Sequence, residues 1–507
     1  MSKRNWIGAA IALLALAGAM AWKQREPGES RAAAPQPRGA GFDWGRLHFT
    51  RCELPQPHSS ATTAAYCAPF QVPEDWDAPD GGRRIDLRLA LVASEAAAAE
   101  PDPVVLLAGG PGQSAVESWP SIAAAFGPLL RHRHVLLLDQ RGTGGSNALT
   151  CERSADALEQ GFDAARVRAA ASACLAHVST HADPRFYTTA MALRDLESVR
   201  EAIGGPTLNL VGVSYGTRVA QQYMKRHPAS VRSVVLDSAV PNDQVLGSEF
   251  ARNLDDSLRA QLGACSATPA CAKVFGDPWQ ALRALHARFA AAPLEADYRD
   301  PIDNAPKQAR LDGVALAMLA RMYAYMPETA ALLPLAVARA SDGDTVPLLG
   351  QLHMLQRDLE SLGENAMQYS VACAEDAPWL QPRPQDAATL LGSVLADVFR
   401  ETCAVWPRGA RDDGFAEPAR GDIPVLLLAG EFDPVTPPRY AEQIVQTLPR
   451  GRVLVAKGQG HSVMGRGCFP RLVADFVATR DAEGLDAGCI ADFGPIPAFL
   501  DFNGAAP

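Results

Sequence analysis

Gly212-Val213-Ser214-Tyr215-Gly216-Thr217 follows the short apolar run Thr207-Leu-Asn-Leu-Val-Gly-Val213 and precedes a segment with helical character. A G-x-S-x-G at a strand-to-helix turn is the pattern of a nucleophile elbow. Its glycines are required because the backbone is strained and neighbouring chain runs close on both sides. A serine at that turn stands at the head of a helix, where backbone N–H groups and the helix dipole favour developing negative charge. The bare pattern is weak in a chain with 41 glycines. The segments around it decide its meaning.

Ile423-Pro-Val-Leu-Leu-Leu-Ala-Gly430 reads as a buried strand running into Glu431-Phe-Asp433-Pro-Val-Thr-Pro-Pro438, a turn that sets a carboxylate just past a strand end. Arg452-Val-Leu-Val-Ala-Lys457 reads as the next strand, and Gly458-Gln-Gly-His461 places a histidine in a glycine-rich loop after it. Ser214, Asp433 and His461 thus follow one another in the order nucleophile, acid, base. A neutral imidazole takes the serine proton and returns it to the leaving group, while the carboxylate fixes the tautomer and stabilises the imidazolium. Asp237, closing Val234-Val-Leu-Asp, competes for the acid role; Asp433 is favoured. The other histidines, among them His132, His134, His227 and His286, lack a strand end, a glycine turn and a preceding acid, and read as surface or packing residues.

An oxyanion hole is expected from an earlier strand. Pro103-Val-Val-Leu-Leu-Ala108 leads into Gly109-Gly-Pro-Gly112, making Gly110 the expected donor together with the N–H of Tyr215, the residue after the nucleophile. Gly110-Pro-Gly-Gln-Ser-Ala115 also matches a dinucleotide-binding fingerprint. That reading leaves the serine, acid and histidine unexplained, and no cofactor is expected. Asp139-Gln-Arg-Gly-Thr-Gly-Gly-Ser146 lacks the Lys-Ser/Thr of a phosphate loop and reads as a structural turn.

Together, Gly109-Gly-Pro-Gly112, Asp139-Gln-Arg-Gly-Thr-Gly-Gly-Ser146, the Ser214 motif and Glu431-Phe-Asp-Pro-Val-Thr-Pro437 resemble the secreted tripeptidyl aminopeptidases, relatives of the prolyl iminopeptidases in the α/β-hydrolase superfamily. The resemblance runs from about residue 42 to about residue 490. It implies an α/β-hydrolase fold with a mostly parallel sheet flanked by helices, an inserted mainly helical cap, and hydrolysis of amide bonds near the free amino terminus of peptides. The chain departs from prolyl iminopeptidases where Ala108 stands for their usual histidine and Val213 and Tyr215 replace Gly and Trp. An esterase of the same fold and a hydrolase-fold binding protein without turnover remain alternatives. Recognition of a free amine calls for buried acids. Glu375, then Asp376, in Cys373-Ala-Glu-Asp-Ala-Pro378 are the candidates, since a similar acidic stretch after a cysteine occurs in the family; a merely structural role stays open.

The 507 residues are 48% hydrophobic, enough for one large core plus an inserted module. A net charge of −10 without a basic run or aromatic-basic patch argues against nucleic acid as a partner. Met1-Ser-Lys-Arg-Asn5, seventeen uncharged residues and then Lys23 form an export signal in residues 1–22. It is either a peptide cleaved near Ala21 or a retained membrane anchor. Residues 23–41 read as an Ala/Pro/Gly/Arg linker.

The hydrolase core is expected over 42–240 and 421–507, with the cap over 241–420, where helical periodicity such as Leu311, Val314, Met318 and Met322 dominates and strand signals fade. Ten cysteines in an exported chain suit five disulfides between near neighbours: Cys52–Cys67, Cys151–Cys174, Cys265–Cys271, Cys373–Cys403 and Cys468–Cys489. Connectivity and free thiols stay open on sequence alone. Zinc is disfavoured, since no C-x-x-C exists and no histidine sits at ligand spacing from a cysteine pair.

Overall fold

A computed structural model describes residues 36–38, 41–56, 59–151, 161–300, 303–362 and 364–505. The export segment 1–22 lies outside the described residues. Within them no helix is long and apolar enough to cross a membrane.

The strands of the main sheet, numbered along the chain, are β1 (Gln36–Arg38), β2 (Gly41–Trp44), β3 (Leu47–Pro55), β4 (Thr62–Pro73), β5 (Arg84–Val92), β6 (Val104–Leu107), β7 (Val135–Leu138), β8 (Leu208–Val213), β9 (Val231–Asp237), β10 (Val425–Gly430) and β11 (Gly451–Ala456). They stand in the order β1-β2-β3-β4-β5-β7-β6-β8-β9-β10-β11. From β7 through β11 every pairing is parallel, and β1 to β5 add an antiparallel flank. Sequence follows geometry here: β6, β7 and β10 are buried at every position and read as unbroken apolar runs, whereas β3 and β4 mix buried and exposed positions.

One boundary differs from expectation. Part of the expected linker belongs to the sheet, because Gln36–Arg38 pairs antiparallel with Gly41–Asp43. The Ala/Pro/Gly composition suggested loose chain, yet an edge strand tolerates proline.

Two clusters of buried residues cover the two faces of the sheet, one around Leu136, Leu210 and Tyr223, the other around Trp119, Val235 and Phe476. Between β9 and β10 the chain builds helices that include Phe250–Ala267, Pro278–Ala291, Gly313–Ala324 and Leu333–Ser341, packed on their own cluster around Leu258, Leu282 and Leu316. This stretch also holds an antiparallel hairpin, Leu294–Arg299 with Pro306–Leu311. Its largely exposed strands lack the apolar run that marks the sheet strands.

All five disulfides pair as read from the sequence, and no described cysteine is free. Each closes a short loop, for which a stabilisation of about 2–4 kcal/mol is typical. Five such bonds fit an exported protein.

Candidate active site

Parallel strands place their carboxyl ends on one edge of the sheet, and every candidate catalytic residue follows such an end: Gly110 after β6, Ser214 after β8, Asp433 after β10 and His461 after β11. That edge, where β6 lies between β7 and β8, is where open α/β sheets bind ligands.

Ser214 has φ 55° and ψ −121°, a strained conformation for a residue with a side chain. The surroundings enforce it. Ser214 N–H donates to Asp237 O at 2.9 Å, and Ser214 O accepts from Thr217 N at 2.9 Å and Thr217 Oγ1 at 2.6 Å. The motif glycines have steric reasons: a Cβ on Gly216 would lie 2.0 Å from Leu107 O, and one on Gly212 would lie 2.5 Å from Gly216 O. The helix Tyr215–Arg226 starts at once, turning its positive end toward the serine.

Asp433 is buried and fully engaged. Its Oδ1 accepts from the N–H groups of Val435 and Thr436, both at 2.8 Å, and its Oδ2 accepts from Thr436 Oγ1 at 2.8 Å, Ser238 Oγ at 2.9 Å and His461 Nδ1 at 2.8 Å. Burial alone would raise its pKa, but the facing imidazole and these hydrogen bonds outweigh burial and hold it below the ordinary aspartate value. His461 shows the mirror effect: burial pulls its pKa down, and the Asp433 charge and hydrogen bond win, lifting it above 6.5. A carboxylate on Nδ1 leaves Nε2 as the nitrogen that works on the serine.

Asp237 serves the same loop differently. Its carboxylate accepts from Ser462 Oγ at 2.7 Å and from the N–H groups of Val463 and Met464, both at 3.0 Å, so it grips the chain after His461 and does not bond the ring. Beside it, Ser238 accepts from Ser462 N–H at 2.8 Å while donating to Asp433, at a φ of 58°. Sequence reasoning missed Ser238, and an isolated serine after a strand carries no signal for such a bridge. Tyr325, past the end of the helix Gly313–Ala324, also went unnoticed. Its carbonyl accepts from His461 N–H at 2.8 Å, and its ring stands edge-on to the imidazole at 5.2 Å.

Ser214, His461, Gly110 and Tyr215 line one cavity of about 650 Å³. Its walls come from both the sheet edge and the inserted helices, including Phe250, Arg321 and Tyr325.

Glu375 and Asp376, expected to receive a substrate amine, do not line it. Both are buried behind its wall. Glu375 accepts from Thr189 N at 2.6 Å and Thr189 Oγ1 at 2.8 Å, and Thr189 Oγ1 meets the Tyr215 hydroxyl at 2.7 Å. Asp376 is held by Arg218 at 3.0 Å, and its Oδ1 accepts from Leu246 N–H at 3.0 Å. Burial raises Glu375 to a pKa of about 7, against an opposing pull from Arg218. The physical reason for their placement is competition: Arg218, from the helix that follows the serine, takes Asp376 before a substrate could. Among the described residues no group of three or more His, Cys, Asp or Glu is placed to hold a metal ion.

Fold and site together define a serine hydrolase of the α/β-hydrolase fold. Residues 102–299 match the family described as alpha/beta hydrolase fold, and residues 388–489 match the family described as TAP-like protein. The chain is 26% identical to the serine protease Hip1 of Mycobacterium bovis, across 96% of this chain and 97% of that protein. It is also 26% identical to the tripeptidyl aminopeptidase of Streptomyces coelicolor, across 94% and 91%. Among solved structures, the proline iminopeptidase of Mycobacterium smegmatis is 18% identical, with a TM-score of 0.39, covering 82% of this chain and 98% of its own. The resemblance read from the four motif blocks is borne out.

Proposed function

We propose that this protein is an exported serine peptidase that cleaves short peptides through an acyl-enzyme. The observation that carries the reading is the Asp433–His461 pair at 2.8 Å, whose histidine lines the cavity that also holds the strained Ser214. Ser214 attacks the scissile carbonyl while His461 takes its proton. Asp433 stabilises the resulting imidazolium, which then protonates the leaving amine. The N–H groups of Gly110 and Tyr215 bind the tetrahedral oxygen, and losing one such donor costs about 3 kcal/mol of transition-state stabilisation. Water then repeats the sequence on the acyl-enzyme.

Amide cleavage, as against ester cleavage, draws its support from the relatives named a serine protease and a tripeptidyl aminopeptidase. A walled cavity of about 650 Å³ suits a short peptide better than a folded chain. Residues 241–420 act as a cap and supply that wall. Among the described residues lining the cavity, no carboxylate is placed to carry selectivity for a free amino terminus. Export rests on the five disulfides and the apolar segment 1–22, which is a cleaved signal or an anchor.

The test is incubation of purified protein with free and N-blocked peptides, reading products by mass spectrometry beside a fluorophosphonate label. Cleaved peptides with labelling at Ser214 alone support the reading. Hydrolysis confined to esters would establish the esterase alternative instead.

A further inference from the structure

Arginine is the only formally charged residue type among the described residues lining the cavity. Arg218, Arg321 and Arg466 contribute to its wall, and no Asp or Glu does. Two of the three are neutralised from behind, Arg218 by Asp376 at 3.0 Å and Arg466 by Glu328, with one contact at 3.0 Å. Arg321 has no carboxylate partner among the described residues. Only 6% of its surface is exposed, its Nη1 has no hydrogen-bond partner, and its Nη2 donates to the Tyr325 hydroxyl at 3.3 Å. Its guanidinium lies over the Phe250 ring at 4.6 Å, which shields the charge without pairing it.

A buried guanidinium with an unused donor is costly, and the arrangement makes sense once a ligand supplies the acceptor. Tyr325 connects this charge to the chemistry, with its ring 5.7 Å from the Arg321 guanidinium and 5.2 Å from the His461 ring. At about 3.5 Å per extended residue, that separation spans no more than roughly three residues of substrate.

We propose that Arg321 is a subsite for a substrate carboxylate, so that the enzyme prefers substrates bearing an acidic group within three residues of the scissile carbonyl. The carboxylate belongs either to an acidic side chain or to the free carboxyl end of a short peptide. Both present the planar, two-oxygen acceptor that a guanidinium fork binds best. The proposal rests on the cavity being the hydrolytic site, and it opposes the amine-binding expectation attached to Glu375 and Asp376.

The experiment measures kcat/KM for three matched pairs: peptides with Glu against Gln, peptides with a free against an amidated carboxyl end, and 4-nitrophenyl esters of glutaric against glutaramic acid. In the wild type the charged member of the ester pair and of one peptide pair is favoured by about 10- to 100-fold, and which peptide pair responds identifies the source of the carboxylate. In Arg321→Met the ratio falls to near one, and Arg321→Lys restores part of it. Glutarate raises the melting temperature of Ser214→Ala but not of the Ser214→Ala/Arg321→Met double variant; if the methionine variant fails to fold, the wild-type ratios, the lysine variant and glutarate binding to Ser214→Ala still decide. Wild-type ratios near one in all pairs, or ratios unchanged in Arg321→Met, overturn the proposal. Charge-selective ester hydrolysis without any peptide cleavage upholds Arg321 and removes the peptidase reading; peptide cleavage without charge preference does the reverse.

Discussion

The turn after β10 and the end of the helix Ala366–Glu375 both present buried carboxylates near Ser214, and they behave in opposite ways. Asp433 meets an imidazole and four other hydrogen-bond donors, and its pKa falls below the usual aspartate value. Glu375 is hydrogen-bonded by one threonine and flanked by Asp376 and Arg218, and burial outweighs the arginine and lifts it to about 7. Burial alone therefore does not decide whether a carboxylate is ionised. The number and charge of the groups turned toward it decide. One environment makes a partner for a catalytic base, and the other makes a wall.

The largest test of this contrast is removal of the triad. Ser214→Ala and Asp433→Asn should each lower kcat by about 10⁴-fold or more, the latter by disturbing the His461 tautomer. Asp237→Asn should lose far less rate, since Asp237 holds the 462–464 backbone and not the ring. Steady-state kinetics on one good substrate ranks the three; a crippled Asp237→Asn beside an active Asp433→Asn would reverse the assignment.

Asp376→Asn comes next. It leaves Arg218 buried without its counter-charge and should destabilise the fold by about 3–5 kcal/mol in denaturant unfolding, with little change in the pH dependence of the remaining activity. A stable variant with a shifted pH profile would move Asp376 from the wall into the site.

Glu375→Gln should have a smaller effect, and in the opposite direction at alkaline pH. A folded pKa near 7 lies above the ordinary glutamate value of 4.5, so the stability linked to the bound proton is fully present below about 4.5 and is lost as pH rises through 7. Glutamine mimics the protonated form, so the variant should gain on the order of 3 kcal/mol over wild type at pH 8.5 and nothing at pH 4. Peptide and ester hydrolysis should change in parallel. Selective loss on free-amine peptides would instead restore Glu375 as an amine receptor.

The smallest effect concerns the acid limb of the rate profile. His461 works as the neutral ring, and its pKa is raised by Asp433, so kcat/KM should rise with pH through an apparent pKa above 6.5. In Asp433→Asn the midpoint should move down, because the charge that held the proton has gone. A midpoint that stays in place would mean that another group controls the limb.

The class of fold, the candidate trio of serine, acid and histidine, the strand ends that carry it and the cysteine pairing were legible in the chain because each is written over a short range. A buried parallel strand reads as an apolar run, an elbow as two glycines around a serine, and an acid turn as Asp-Pro following such a run. The roles of Asp237 and Asp433 were ranked on sequence and separated only in three dimensions, by which carboxylate reaches His461 Nδ1. What faces the cavity was decided by tertiary structure alone. Thr189 meets Glu375 across 186 positions, and Arg218 meets Asp376 across 158. Those encounters seal two acids that looked like a binding site, while Arg321, an unremarked residue in the helix Gly313–Ala324, lines the cavity with no carboxylate partner among the described residues. Local propensity cannot encode this outcome, because whether a buried charge is spent or available depends on the whole set of distant groups that fold against it.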